Sequence, residues 1–310
     1  MSGQGARRYS GGKRGREDGG GGGSRGGGGS SRPRVDEGAS HYNNMRNMIV
    51  RVVDKGYDVQ LQHLSGLRST LKRDLAERRD QIIGIIMECA KSLPVKVGIY
   101  GTLVGLLNID SPEFGGEVVR MLTMQLQEAC GGEDMALLRL LVRFAAELCN
   151  ASVLEAASLH HLFKSMLAIA QSAESEGGPE RQRGDCMCHA VLAALPFAAA
   201  GLKVADRAIL DDTMEQIRSY MDSRPRLPIR RLALSLRPGV EAVDSLEIVW
   251  SSVRDCAEQA DPDDWVTALA VLRPYQIPQF REELGNAERH AFEEGFLGVS
   301  PVRPGHGVLE

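Results

Sequence analysis

Residues able to do chemistry gather in four places. Cys186, Cys188 and His189 put three soft metal donors into four consecutive positions, a set suited to zinc. His160 and His161 offer adjacent imidazoles for proton transfer or metal binding. Asp261-Pro262-Asp263-Asp264-Trp265 sets carboxylates beside an indole, the chemistry of a pocket for a charged base. Gly12-Lys13 and Gly115-Gly116 raise the question of a phosphate-cradling loop.

The elements that must carry these residues dissolve most of that chemistry. Four consecutive residues of a helix fan around its axis instead of converging on one ion, and no second C-x-x-C completes the set. Cys186–His189 therefore reads as small buried thiols in a helix. His160 and His161 diverge by about 100° on a helix and lack H-E-x-x-H spacing, so one should border the core and the other face water. Asp261 suits an N-cap, Pro262 the first helical position, and Asp263 and Asp264 the positive end of the helix dipole, with Trp265 opening the apolar face. Gly12-Lys13 is followed by Arg14 rather than Ser or Thr, and Arg7 stands where a P-loop needs its first glycine. Gly115-Gly116 follows a helical pattern, not a strand. No nucleophile and base share a recognisable context. The reading is a non-enzyme, with no catalytic, cofactor-binding or metal-ligating residue assigned.

Charge divides the chain. Residues 1–34 hold eight Lys or Arg against Glu17 and Asp18, and since the whole is −4, residues 35–310 carry −10. An acidic body disfavours non-specific nucleic-acid binding there, while the tail could provide it. The tail also holds 14 of the 35 glycines, a composition unable to bury enough apolar surface to order itself. Six cysteines sit mostly in apolar helical patterns with no secretory signal before them, which reads as reduced thiols in the cytosol or nucleus. The apolar run Val97 to Ile109 spans 13 residues, short of the roughly 18 needed to cross a bilayer.

Helical periodicity dominates from Ser40 onward. Leu137, Leu141, Phe144, Ala145 and Leu148 form one stripe; Leu159, Leu162, Phe163, Met166, Leu167 and Ala170 form another; Val118, Leu122, Leu126 and Ala129 form a thinner third. Breaks are expected at Gly131-Gly132, Gly177-Gly178-Pro179, Gly201 and Pro225/Pro228. Pairing the helices gives units at about 80–108, 116–149, 153–200 and 203–260, a spacing near the roughly 40-residue repeat of helix-pair solenoids. The predicted fold is all-α, an α-solenoid of antiparallel HEAT-like helix pairs preceded by a disordered Gly/Arg-rich tail. Its divisions are a basic tail over 1–39, the helical-repeat domain over 40–285, and an irregular segment over 286–310, with the likeliest internal loop at about 224–240. The ending "VSPVRPGHGVLE" lacks the polar capping helix a solenoid needs. Either the last repeat is degenerate, or the chain is the front part of something longer.

Six stretches carry a family resemblance: Leu93-Pro94, Ile99-Tyr100, Thr102-Leu103-Val104-Gly105-Leu106-Leu107-Asn108, Phe114-Gly115-Gly116-Glu117, Leu141-Val142-Arg143-Phe144 and Leu272-Arg273-Pro274-Tyr275. Together they resemble the first helical-repeat domain of the large subunits of nuclear cap-binding complexes. That domain is of the type named for the middle domain of the translation-initiation scaffold. The similarity runs over about 43–280 and is densest between 93 and 167. It implies a non-catalytic, nuclear, armadillo-type scaffold. A small partner with an RNA-recognition fold holds the methylated RNA cap, and the complex couples capped transcripts to splicing, mRNA export and nonsense-mediated decay. It implies no cap-binding residue in this chain and no cofactor, and gives partners as the small subunit, a nuclear import carrier, mRNA processing and export factors, and capped RNA indirectly, with no membrane.

The resemblance also places an import signal in the basic tail, where Lys13, Arg14 and Arg16 are the candidate residues. Family members are much longer, and their two further repeat domains form most of the surface for the small subunit. Two other readings remain open: a cytoplasmic translation-initiation or mRNA-surveillance scaffold of the same repeat type, and a direct RNA binder acting through the Arg/Gly tail. Within the apolar run, Gly98, Gly101 and Gly105 lie within about 60° of one another on a helix, so a neighbouring helix is expected to approach closely there.

Overall fold

The computed structural model describes residues 37–52, 54, 57–172, 179–224, 244–269, 280–293 and 297. Among these the chain is all-α, without a strand and with one isolated parallel bridge, Leu154 to His290. The basic tail with Lys13, Arg14 and Arg16, the 225–240 part of the expected loop, and Leu272–Tyr275 lie outside the described residues.

Eleven helices follow one another among the described residues: α1 Glu37–Arg51, α2 Tyr57–Ser92, α3 Val97–Asp110, α4 Pro112–Gly131, α5 Met135–Asn150, α6 Ala156–Ser172, α7 Pro179–Ala205, α8 Arg207–Ser223, α9 Ser245–Gln259, α10 Trp265–Ala268 and α11 Arg281–Gly285. Short connections fold each helix back on the last. Ser111 alone separates α3 from α4, its extended backbone ending one helix while Pro112 opens the next. The result is two rows. In one, α3, α5, α7 and α9 stack in succession; in the other, α2 lies against α4 and α6 against α8. The expected pairs α2/α3, α4/α5 and α6/α7 are all present. In the last unit, α8 and α9 both pack on α7.

The stripes read from the sequence are the packed faces. Leu141, Phe144, Ala145 and Leu148 of α5 and Leu159, Leu162, Phe163 and Met166 of α6 are fully buried. One unit begins earlier than expected. The helix starts at Tyr57 rather than near 80, and residue 80 falls just after a break in its regular backbone at Arg78 (φ −131°, ψ 22°). The first half is so charged that its stripe of Leu64, Leu67, Leu71 and Leu75 is thinly spread, yet all four are buried.

Gly201 does not end a helix; it lies inside α7. A side chain there would come within 3.0 Å of Asn150 Oδ1 on α5, so the glycine serves a close approach of two helices, not a turn. That same helix is the hub of the fold, packed by α5, α6, α8 and α9. Its stretch Gln182–Ala205 is the one helix among the described residues long and apolar enough to cross a membrane by length and composition, and 67% of its apolar window is buried inside the domain. Burial by four neighbouring helices accounts for that apolarity.

Glycines therefore divide into two kinds. Gly66 and Gly84 face open space on α2, whereas a Cβ on Gly101 would sit 2.9 Å from Glu147 Cβ, and one on Gly105 2.8 Å from the Ala151 carbonyl. Gly84→Ala should raise stability by about 0.5–1 kcal/mol through reduced chain entropy. Gly105→Ala should lower it by about 1–3 kcal/mol through overpacking. Denaturant melts measure both, and equal shifts for the two variants would refute the close approach.

Candidate functional site

Asn108 anchors a contact between α3 and a segment about 180 residues away in sequence. It lies near the C-terminal end of α3 with no exposure to solvent, where an amide left without partners costs about 1–3 kcal/mol. Both halves of that amide are satisfied from one distant segment. Nδ2 donates to the Glu288 carbonyl at 2.7 Å, and His290 Nε2 stands 2.9 Å from Oδ1, which fixes the Nε2–H tautomer as donor. Residues 280–292 thus form a strap across the ends of α3, α4 and α5.

The strap is held along its length. Arg68 on α2 pairs with Glu283 at 2.6 Å and also with Asp110 at 2.7 Å, which ties the strap to both α2 and α3. Leu284 fills the notch left by Gly105. His290 N donates to Val153 O, Glu155 N to His290 O, and Phe292 N to Ser158 Oγ, so the segment zips onto the α5–α6 connection. Gly115 and Gly116 give the imidazole its room: a side chain at Gly115 would collide with the Asn108 amide and come within 2.9 Å of His290 Nε2. The two motifs that resemble the cap-binding family, around Gly105–Asn108 and Phe114–Glu117, are in this structure the seat of one strap.

Next to the strap, α5 and α7 share a polar seam. Arg143 pairs with Glu147 at 2.6 Å and its guanidinium lies over the Phe197 ring, 2.9 Å from the centroid. Burial lowers the Arg143 pKa, and the Glu147 carboxylate acts against that shift. Asn150 donates to the Phe197 carbonyl at 2.7 Å, crossing from α5 to α7. Its Oδ1 is buried without a donor beside Gly201. Removing one member of such a buried ion pair strands the other in low dielectric; the contacts that cross from α5 to α7 are the Arg143 guanidinium over Phe197 and the Asn150 hydrogen bond.

The residues singled out from sequence fall as follows. Cys186–His189 lies on α7 with Met187 and Cys188 fully buried. Burial pushes the Cys188 thiol up to about 12, away from the thiolate a metal needs. Among the described residues no group of three His, Cys, Asp or Glu side chains is placed to hold a metal ion. His160 and His161 are both half-buried on α6, so neither is fully solvated. His160 reaches Asp212 of α8 at 2.8 Å, and burial lowers its pKa, leaving a neutral ring that donates to the carboxylate. Asp261 caps as expected, accepting from Asp263 N, but the turn it opens is a 3₁₀ turn, Pro262–Asp264, before the short α10. Trp265 is buried, and Lys203 clamps Asp261 and Asp263 from α7, so the aromatic and the acids face different ways.

Sequence reasoning missed Asn108 and His290 as a pair. A signal for the first exists, since an amide ending an apolar helix between glycines demands partners. His290 offers none, standing in an irregular stretch 182 residues away.

Asn108→Ala should therefore loosen the strap while leaving the helices folded, lowering stability by about 1–3 kcal/mol. Hydrogen exchange reads it directly: the His290 and Glu155 amides should lose protection well before the α5 and α7 amides. Unchanged exchange at those two amides would contradict the anchoring role.

Nuclear cap-binding protein subunit 1-A of Xenopus laevis is 29% identical over 245 residues, which is 79% of this chain and 30% of that protein. Nuclear cap-binding protein subunit 1 of Gallus gallus is 29% identical and that of Salmo salar 28%, each over 246 residues with the same shares. The chain spans about 30% of the length of the curated relatives it matches. The family profile described as MIF4G domain matches residues 43–238, which run from α1 past α8 and include Asn108, the glycines that seat the strap, and Arg143. With more than half of its residues matched, the chain belongs to the MIF4G domain family.

Proposed function

We propose that this chain is a non-catalytic scaffold of a nuclear mRNA cap-binding complex. In this reading a small subunit with an RNA-recognition fold holds the methylated cap, and the helical rows supply surfaces for it and for the factors that carry capped transcripts into splicing, export and nonsense-mediated decay. What supports it is the coincidence of the MIF4G match with relatives that are nuclear cap-binding subunits over 79% of the chain. His160 paired with Asp212, Asp261 and Asp263 held by Lys203, and the buried Cys188 are compatible with this reading. The tail residues Lys13, Arg14 and Arg16 act in this proposal as the import signal, read by an acidic carrier groove, and place the protein in the nucleus.

Retention on methylated-cap resin tests the proposal. Purified chain alone should flow through. Chain expressed in its own nuclear extract should be retained together with an RNA-recognition partner, and free methylated cap analogue should elute it while unmethylated GTP should not. Direct retention of the purified chain, or its absence from the resin in the extract, would contradict the scaffold role.

A further inference from the structure

At one end of the described stack, α1 packs on α2, whereas each helix from α3 to α8 packs on two or more neighbours. Between α1 and the first half of α2 lies a cavity of about 830 Å³. One wall carries Asn44, Asn47, Met48 and Arg51 of α1, and the other His63, Gly66, Leu67 and Thr70 of α2. Both sets fall at i, i+3, i+4 and i+7, so each wall is a single helix face of about two turns, roughly 10 Å long. The cavity is therefore one trough between two helices. Leu67 is buried at its base, while Met48 is 40% exposed and Val59, four residues before His63 on the same face of α2, is 42% exposed. A Cβ on Gly66 would meet nothing within 4 Å, so the trough is open at that wall. The end unit of a helix stack stays soluble by turning a polar outer face to water. This one keeps a methionine and a valine there.

Charge selects the occupant. The lining holds an arginine, a histidine, amides and a hydroxyl, and no carboxylate. Arg51 has no carboxylate partner among the described residues. The acids that follow each wall in sequence are taken: Lys96 holds Asp54 at 2.9 Å, and His41 stands 3.0 Å from Asp74. We propose that this trough seats an amphipathic helix of a partner protein, its apolar ridge on Met48, Val59 and Leu67 and a carboxylate against Arg51. Shape and charge each carry part of that choice. Two parallel helix faces over an apolar base take a third helix as a ridge in a groove. A cation without an acid in the same lining favours a ridge flanked by glutamate or aspartate over one flanked by lysine. Single-stranded RNA finds little here, since the walls offer one arginine and no Phe, Tyr or Trp ring, whereas strand-binding grooves align cations with stacking rings. The inference does not depend on the cap-complex reading.

Fluorescence anisotropy of the purified full chain tests it, with two fluorescein-labelled peptides that share one leucine ridge, EALEALLEALEA and KALKALLKALKA. The acidic probe should bind more tightly than the basic one. Arg51→Glu should weaken the acidic probe about tenfold and strengthen the basic one. Gly66→Leu fills the trough from an exposed helical position with a better helix former, so it should abolish binding of the acidic probe without lowering the melting temperature. The basic tail is common to all variants, so these differences report the trough alone. No binding of the acidic probe, equal binding of the two probes, or unchanged binding of the acidic probe in either variant would overturn the proposal. So would a decauridine that binds more tightly than the acidic probe and is lost in the same variants. Self-association of the parent chain that Gly66→Leu abolishes would also overturn it, by making a second copy the occupant.

Discussion

A fully buried asparagine side chain ties two distant parts of this structure together. Asn108 lies in the last turn of an apolar helix, and both halves of its amide are satisfied by chain from elsewhere. Glu288 and His290 supply the partners, and doing so lays a strap over the glycines of α3 and α4. The strap accounts for two of those glycines: Gly105 leaves space for Leu284, and Gly115 for the Asn108 amide and His290. Hydrogen bonding and close packing are one requirement at Gly115, where a side chain would displace the groups that satisfy the amide.

The same constraint reaches the surface. Arg289 sits on the strap between the two residues that hold Asn108, so the latch also fixes an exposed cation beside the cavity at the ends of α5 and α7. Gly201 plays a parallel part on α7, letting Asn150 cross to the Phe197 carbonyl and close the seam between the two helices. Rigidity in this chain comes from a hub helix buried on most sides, the Arg143–Phe197 and Asn150–Phe197 contacts that join it to α5, and a strap that ties residues 280–292 back to α2.

Much of this was legible in the sequence wherever the chemistry was local. The stripe from Leu141 to Leu148, the stop at Gly131-Gly132 and the cap formed by Asp261 follow from helix periodicity and capping alone, because each depends on residues within one or two turns. Gly98, Gly101 and Gly105 were expected to admit a neighbouring helix; Gly101 does meet α5, but the notch at Gly105 also takes the strap's Leu284. Local rules failed where tertiary contact overrode them. Gly201 reads as a break but sits in mid-helix, and the charged first half of α2 hid its leucine stripe. The strap was the least legible element. It has no periodicity, and the partner of His290 lies 182 residues away, a distance over which spacing carries no information.

The central claim, that Asn108 and His290 act as one latch, is tested most directly by a double-mutant cycle. Stability of Asn108→Ala, His290→Ala and the double variant would be compared with the parent by urea unfolding. If the two side chains form a single hydrogen-bonded unit, the double variant should lose less than the sum of the singles by about 1 kcal/mol or more. Losses that add to within about 0.3 kcal/mol would mean the two residues act independently and would contradict the latch.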